Sequence, residues 1–480
     1  MLRQISPVDA KRLRDFLESV GYEEAKLRLG EAPSHRLRNL PRLLDQTRER
    51  NCLNTLLRWF WLGVSAENPS TQAVPDWFIE LSLSVGLLQR TGDTLSSDVM
   101  LFPAYGLFSV CDHSSKIDSE DVDFVLWPNP TSHLLSRFTV RRHSRTTLDL
   151  GTGNAIQALA AAGHSGRVTA TDVNPRAITY AKFAAALNGL DNIECLEGNG
   201  FEPVGQRKFD LIVSNPPFFI SPTRRHAFCD SSMGLDHLCR RFLKEGPAYL
   251  NEGGYFQILC EWAQIRGQSW QERVAEWVEG SGCDAWILKV HTQDPAQYAQ
   301  VQLSLRAPSE QDTELYNHYV SYYCEAQVEA IHDGIIALRR RSGQNWLMID
   351  EFAEIPKEPF GSFILRFFDA QDFLRTHGSP DQFLSAKLRL SPDSRLEQAF
   401  EPGRGHWHPG SLTLRMTKGF PFVVQLQPPI AELLSSFDGS RTTGDVIQGF
   451  ASQVDAPLDN VQAQLLSILR GLIERGFVLT

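Results

Sequence analysis

The sequence predicts an α/β fold, with a mostly parallel, doubly wound sheet in the middle of the chain and smaller α+β parts at both ends. Three observations predict it. Between residues 115 and 345, short β-type runs alternate with longer helical patterns, the order that builds a parallel sheet covered by helices. Within that stretch one apolar run ends in Asp149 and a Gly-x-Gly turn, with a helical pattern after it. Outside it, each end of the chain reads as helices followed by short strands.

In residues 1–114, Val8, Leu13, Phe16, Leu17 and Val20 recur at helical spacing before Gly21. A second helix is predicted over Leu53–Leu62 and a third ending near Gly86. The segment from Leu87 to Val110 then reads as strands with a turn at Thr91-Gly92-Asp93. Helices followed by a hairpin are the outline of a winged-helix-like recognition domain. In residues 115–345, seven runs read as strands: TTLDL, RVTATDV, NIECLEG, FDLIVSN, GYFQILC, AWILKV and GIIALRR. They predict a seven-stranded, mostly parallel sheet, whose ligands bind at the carboxyl ends of the strands. The last run ends at Arg339-Arg340-Arg341, which reads as a solvated turn. Residues 346–410 form a mixed, Pro-containing connection. Residues 411–480 read as a second winged-helix-like domain. Its last helix, from Leu458 to Arg475, carries Leu465, Leu466, Ile468, Leu469, Leu472 and Ile473 and only two arginines. A helix entering a DNA groove is richer in polar side chains, so this one is expected to pack or dock.

Composition narrows the function classes. The chain has 480 residues, 42% hydrophobic and 22% charged, enough to bury several cores. Its net charge of −10 leans against a freely acting nucleic-acid binder, although charge distribution decides that question and the total does not. None of the eight cysteines sits at CxxC spacing, so they read as reduced thiols of a cytoplasmic protein. The first twenty residues carry charges throughout, with no apolar signal region. No apolar stretch reaches the roughly 18 residues of a membrane span. His406-Trp407-His408 has no third ligand at metal spacing, so no metal is expected.

Three motifs carry chemistry. In Leu148-Asp149-Leu150-Gly151-Thr152-Gly153 the glycines let backbone approach a ligand closely. The acid precedes the first glycine, where it can meet a cationic amine, and Ile156 stands where a dinucleotide fingerprint has its third glycine. Asp172 ends the next strand, before Val173, about 20 residues on, where an acid can accept from both hydroxyls of a ribose. The competing reading is a helix cap, since Pro175 suits a first helical turn. Asn215-Pro216-Pro217-Phe218 ends a later strand. Its prolines fix φ and remove two backbone donors. The Pro216 carbonyl and the Asn215 side-chain oxygen can then both accept from one NH2 group, and Phe218 offers a face for a planar substrate.

In this order and spacing the motifs resemble class I S-adenosylmethionine (SAM)-dependent methyltransferases of the NPPF/Y group. They are most similar to the release-factor glutamine-N5 (HemK-like) and adenine-N6 methyltransferases. The resemblance covers roughly residues 120–265 and implies a Rossmann-like class I methyltransferase core. It implies that Asp149, Gly151, Thr152 and Gly153 hold the methionine moiety of SAM, and that Asp172 and Val173 hold the ribose. Gly198-Asn199 stands where the family has Gly-Asp, so Asn199 is implied to contact adenine. Asn215, Pro216, Pro217 and Phe218 are implied to hold the methyl acceptor, and Asn215 is implied to contact SAM as well. Leu126–Leu135 (LWPNPTSHLL) is similar to the IPRPDTExL segment of the glutamine enzymes, with Asn129 and Thr131 in place of its Arg and Asp. Met233–Leu259 resembles their stretch after the NPPF/Y motif. The overall layout also resembles a bacterial group of long methyltransferases, which carries no substrate over.

The implied partner is a macromolecule, either protein (glutamine) or RNA or DNA (adenine N6 or guanine N2). A non-catalytic SAM-binding regulator is the rival from another class, and the intact Asn215–Phe218 motif speaks against it. Arg224-Arg225-His226, Arg240-Arg241 and the group Arg137, Arg141, Arg142 and Arg145 can form a basic rim for phosphates if they face the site. Their alternative is a solvated surface.

Overall fold

A computed structural model of the chain describes residues 2–24, 28–30, 40–67, 73–117, 122–223, 233–304, 309–352, 356–453 and 457–480. It divides into two compact units, Met1–Ser136 with Arg142–Ala353, and Arg137–Arg141 with Glu354–Thr480.

The first unit opens with α1 (Pro7–Ser19), α2 (Leu40–Gln46), α3 (Cys52–Phe60) and α4 (Asp76–Val85). Ser6 starts α1 by accepting the Asp9 N–H at 3.1 Å, with Pro7 in the first turn. Strands β1 (Ala66–Glu67), β2 (Gln89–Thr91) and β3 (Thr94–Ser96) form a small sheet in the order β1-β3-β2. β4 (Val99–Ala104) and β5 (Leu107–Asp112) form a separate hairpin.

The central sheet follows α5 (Pro130–Phe138). It is built from β6 (Ser144–Leu150), β7 (Ser165–Asp172), β8 (Ile193–Glu197), β9 (Phe209–Ser214), β10 (Leu250–Ile265), β11 (Cys283–Gln293), β12 (Val328–Arg340) and β13 (Leu347–Glu351). The order is β13-β11-β12-β10-β9-β6-β7-β8, with β12 antiparallel to its neighbours β10 and β11. All seven expected runs form strands, but among the described residues the sheet has eight, which corrects the expected seven. The extra edge strand, β13, lies in the stretch read as a connection. It pairs parallel with β11 from Ala285↔Leu347 to Lys289↔Glu351. Helices α6 (Ile156–Ala162), α7 (Pro175–Leu187), α8 (His237–Glu245), α9 (Trp270–Val278), α10 (Pro295–Ser304) and α11 (Asp312–Glu325) connect these strands. The strand order reverses between β6 and β9, which opens a crevice at their carboxyl ends.

The unit boundaries differ from the four-part division expected from sequence, and the reason is local. The amino-terminal hairpin and α1 are bonded to α7 of the sheet layer. Asn188 accepts the Phe108 N–H at 2.9 Å and donates to the Phe108 carbonyl at 2.8 Å, while Arg14 donates to the Asn188 carbonyl at 2.7 Å. Buried Asp112 accepts from Tyr180 Oη at 2.7 Å and pairs with Arg176 at 3.2 Å. Residues 1–114 therefore share one core with the sheet.

Arg339 is the second correction. It is buried within β12 rather than placed in a solvated turn. Its guanidinium meets Asp284 of β11 at 2.8 Å, and the two residues are direct cross-strand partners.

In the second unit, α12 (Gly361–Thr376), α13 (Pro380–Ser385), α14 (Pro428–Ser435), α15 (Thr443–Gln453) and α16 (Leu458–Glu474) surround one apolar core. α16 buries Leu465, Leu469, Leu472 and Ile473 in it, as its apolar stripe requires. β14 (Arg389–Leu390) pairs with β18 (Val478–Leu479). β15 (Ser394–Pro402), β16 (Trp407–Met416) and β17 (Val423–Leu426) form an antiparallel sheet. Residues 137–141 belong here because the Arg137 carbonyl accepts the Phe360 N–H at 2.9 Å and the Phe138 ring meets Phe360 at 5.6 Å.

Candidate active site

The carboxyl ends of β6, β7, β8 and β9 open into a cleft of about 480 Å³. Each predicted site residue lines it: Asp149, Gly151, Thr152, Gly153, Asp172, Val173, Asn199, Asn215, Pro216, Pro217 and Phe218.

The turn after β6 is built by conformation as much as by side chains. Gly151 and Gly153 have φ of 75° and 51°, which glycine adopts without a steric cost. The Gly151 and Thr152 N–H groups donate to the Thr171 carbonyl at 2.9 and 2.8 Å, tying the turn to β7. Ala155 takes φ of 64° at the start of α6, a conformation that costs a non-glycine residue about 1 kcal/mol or more. Such strain collects at functional turns.

Asp149 is buried, and its Oδ2 accepts from Thr152 Oγ1 at 2.6 Å and from the Ala158 N–H at 3.0 Å. Burial pushes its carboxyl up to about 7, against those two hydrogen bonds. Burial also raises the pKa of Asp172. The Asp172 oxygens accept the Gly153 and Asn174 N–H groups, each at 2.8 Å. Asn174, not Asp172, caps α7, through its side-chain oxygen and the Arg176 N–H at 2.9 Å. The cap reading of Asp172 is thereby answered, because Asn174 fills that role. At the end of β8, Gly198 leaves no room for a side chain, since a Cβ there would meet Pro203 Cγ at 2.4 Å. Asn199 Oδ1 accepts from Arg241 at 3.3 Å.

On the acceptor side, Asn215 follows β9. Its Nδ2 donates to Thr131 Oγ1 at 3.2 Å, and its Oδ1 is buried with no hydrogen-bond partner among the described residues. Phe218 is half-buried at the cleft wall and packs edge-on against Phe219, with centroids 5.6 Å apart. The segment Phe124–Ser132 lies along the same cleft. Buried Asn154 and Gln157 of the α6 region hold it by donating to the Leu126 and Ser132 carbonyls at 2.8 and 2.7 Å.

The arrangement fits SAM. An open glycine turn, two carboxylates and an elongated cleft match a ligand with an ammonium group, a ribose and a flat base. Asn199 and the half-buried Arg241 stand at the β8 end. Among the described residues, no three acidic, His or Cys side chains gather around one point where they could hold a metal ion.

The expected basic rim is only partly realised. Arg241 lines the cleft, already paired with Glu245 at 2.8 Å, and Arg240 is exposed. Arg142 and Arg145 stand at the amino end of β6, away from the cleft. Arg142 donates to the Gly253 carbonyl and Arg145 pairs with Asp210 at 3.6 Å. Arg137 donates to the Lys357 carbonyl at 3.0 Å within the second unit. Arg224, Arg225 and His226 lie outside the described residues. The spacing of residues along the chain gives no sign of the Asn129–Thr131–Asn215 contacts. The resemblance of Leu126–Leu135 is the signal that points to that segment.

Residues 128–268 match the family "Methyltransferase small domain", and residues 365–480 match a domain of unknown function, DUF7782. A putative protein N5-glutamine methyltransferase of Methanocaldococcus jannaschii is 35% identical over 141 residues, 28% of this chain and 70% of that protein. The release factor glutamine methyltransferase of Geobacter sulfurreducens is 33% identical over 150 residues, 28% of this chain and 52% of that enzyme. The chain thus spans about half the length of the release-factor enzyme it matches. Among solved structures, M. jannaschii TYW2 in complex with AdoMet aligns with 52% of this chain and 90% of its own, at 16% identity and a TM-score of 0.30.

Proposed function

This chain belongs to the class I SAM-dependent methyltransferases, and on that premise we propose that it methylates the side-chain amide nitrogen (N5) of glutamine in a protein. Its cofactor is SAM, which when bound supplies an electrophilic methyl group carried on a sulfonium sulfur. Asp149, Gly151, Thr152 and Gly153 would hold the methionine end, Asp172 and Val173 the ribose, and Asn199 the adenine.

The observation that carries the reading is Asn215, a residue of the cleft wall whose Oδ1 is buried and has no partner among the described residues. A buried acceptor without a donor is costly, so it is kept for something that arrives. Pro216 and Pro217 follow it and have no N–H, so this stretch of backbone offers acceptors only. Asn215 Oδ1 and the Pro216 carbonyl take the two N–H groups of a primary amide. That fixes the nitrogen in orientation and raises its electron density. Phe218 gives the planar group a face to rest on.

The glutamine-like segments Leu126–Leu135 and Met233–Leu259 and the acidic net charge favour a protein acceptor. An exocyclic amine of adenine or guanine in RNA or DNA is the alternative, with the same need for acceptors. The engagement of Arg142, Arg145 and Arg241 with other groups of the chain weakens it. No helix among the described residues is long and apolar enough to cross a membrane, and the proposed setting is the cytoplasm.

The test is Asn215→Ala. Calorimetric affinity for SAM should stay within about threefold, while methyl transfer falls on the order of 100-fold or more, as when one oriented catalytic dipole is removed. Near-normal transfer would remove Asn215 from the acceptor role.

A further inference from the structure

We infer that Thr131, aimed by Asn129, is the positioning residue that fixes Asn215 with its oxygen toward the acceptor. The inference rests on the acceptor role of Asn215 proposed above. It follows from counting protons through three side chains.

The backbone N–H of Ser132 can only donate, and it meets the Asn129 side chain at 3.0 Å, so the atom it meets is the carbonyl oxygen Oδ1. Thr131 Oγ1 lies 2.7 Å from that same oxygen. An acceptor facing a hydroxyl takes its proton, so the single Thr131 proton is committed there. The hydroxyl is left with lone pairs only toward Asn215, 3.2 Å away. It can therefore meet only the NH2 group of Asn215. The Asn215 oxygen is turned the other way, where it is buried without a partner among the described residues.

The reversed amide would set two acceptors against each other at Thr131 and present a donor to the substrate. A substrate NH2 would then meet an NH2. Thr131 thus decides the sign of the hydrogen-bonding wall and selects an acceptor that brings N–H groups. Asn129 is itself held, because its Oδ1 also accepts from Ser132 Oγ at 3.1 Å at the start of α5. The segment bearing both residues is fastened to the α6 region through Asn154 and Gln157. Thr131 occupies the position where the glutamine enzymes' segment has Asp. The uncharged hydroxyl does its orienting through one proton and one lone pair.

The test compares Thr131→Val, which keeps the shape without the hydroxyl, with Thr131→Ser, which keeps the hydroxyl. The full chain, deuterated and labelled with [15N]asparagine, is saturated with S-adenosylhomocysteine. The Asn215 carboxamide signal is assigned by its loss in Asn215→Ala. In Thr131→Val its protons should exchange with solvent roughly tenfold faster than in wild type, with Thr131→Ser close to wild type. Equal exchange in wild type and Thr131→Val overturns the inference. In parallel, methyl transfer into the protein fraction of an extract from cells lacking this protein should show kcat lowered roughly tenfold in Thr131→Val, with KM for SAM within about twofold, and Thr131→Ser should rescue it. Unchanged kcat in Thr131→Val also overturns the inference. If wild-type protein labels nothing, the proposed function fails, and the exchange comparison still decides the role of Thr131.

Discussion

Asp149 shows what a single buried carboxyl can do. Burial raises it to about 7, the nearby charge of Asp172 adds to that, and the Thr152 hydroxyl and Ala158 N–H pull it back. A cation docking beside it stabilises the ionised form and lowers its pKa, so binding releases a proton. Below pH 7 the free protein is mostly protonated at Asp149 and must give up that proton to bind; above pH 7 it has already done so. Affinity for SAM should therefore rise about fivefold between pH 6 and pH 7.4, and fall again above pH 8 as the α-amino group of SAM loses its proton. Calorimetry in two buffers of different ionisation enthalpy should detect the released proton near pH 6.5. An affinity flat across this range would mean that Asp149 does not meet the cation.

Much of the site is legible at this scale. Asp149, the glycines, Asp172, Asn199 and Asn215–Phe218 sit in one cleft because each ends a neighbouring strand, and strand ends can be read from local pattern. What is not legible is how those groups are aimed. Thr131 and Asn215 are 84 residues apart, and a hydrogen bond across that distance leaves no period in the sequence. Asn174, which takes the cap role weighed for Asp172, is visible only once both side chains have directions.

Among elements, the central strand runs are readable because strands buried on both faces are largely apolar runs, while β8, a half-buried edge strand, is marked by its place between helical patterns. β13 escapes that pattern. Its Leu347-Met348-Ile349-Asp350-Glu351 mixes apolar and acidic residues as an edge strand can, and it follows a stretch of Arg and Gly. Arg339 misleads for a related reason. Three consecutive arginines look like a charged turn, and only the register of β11 against β12 reveals that Asp284 stands opposite the first. Both side chains are almost fully buried, at 7% and 0% exposure. Removing one member leaves the other charge uncompensated. Arg339→Ala should lower unfolding free energy in urea by about 3–5 kcal/mol. A loss below about 1 kcal/mol would show that Asp284 finds another partner or a proton.

For the molecule as a whole, the stretch similar to methyltransferases is only part of the chain. The stretch similar to methyltransferases, residues 128–268, contains the cleft-lining residues from Asn129 onward. The rest includes an amino-terminal part fused to the sheet's core and a second unit with its own core. A small-molecule acceptor would not call for so much additional folded chain, whereas recognition of a macromolecule would. The winged-helix-like reading of the two ends belongs to that proposal. The apolar stripe of α16 is buried inside the second unit's core, so any docking by that unit must use other faces.

Tritiated methyl transfer tests most directly whether the acceptor is a protein amide. Labelled SAM and the purified full chain are added to an extract of cells lacking the protein. The product is divided between nuclease and protease digestion. Label should survive nuclease, be released by protease, and appear as N5-methylglutamine on mass spectrometry. Label lost to nuclease would contradict it and move the acceptor to RNA or DNA.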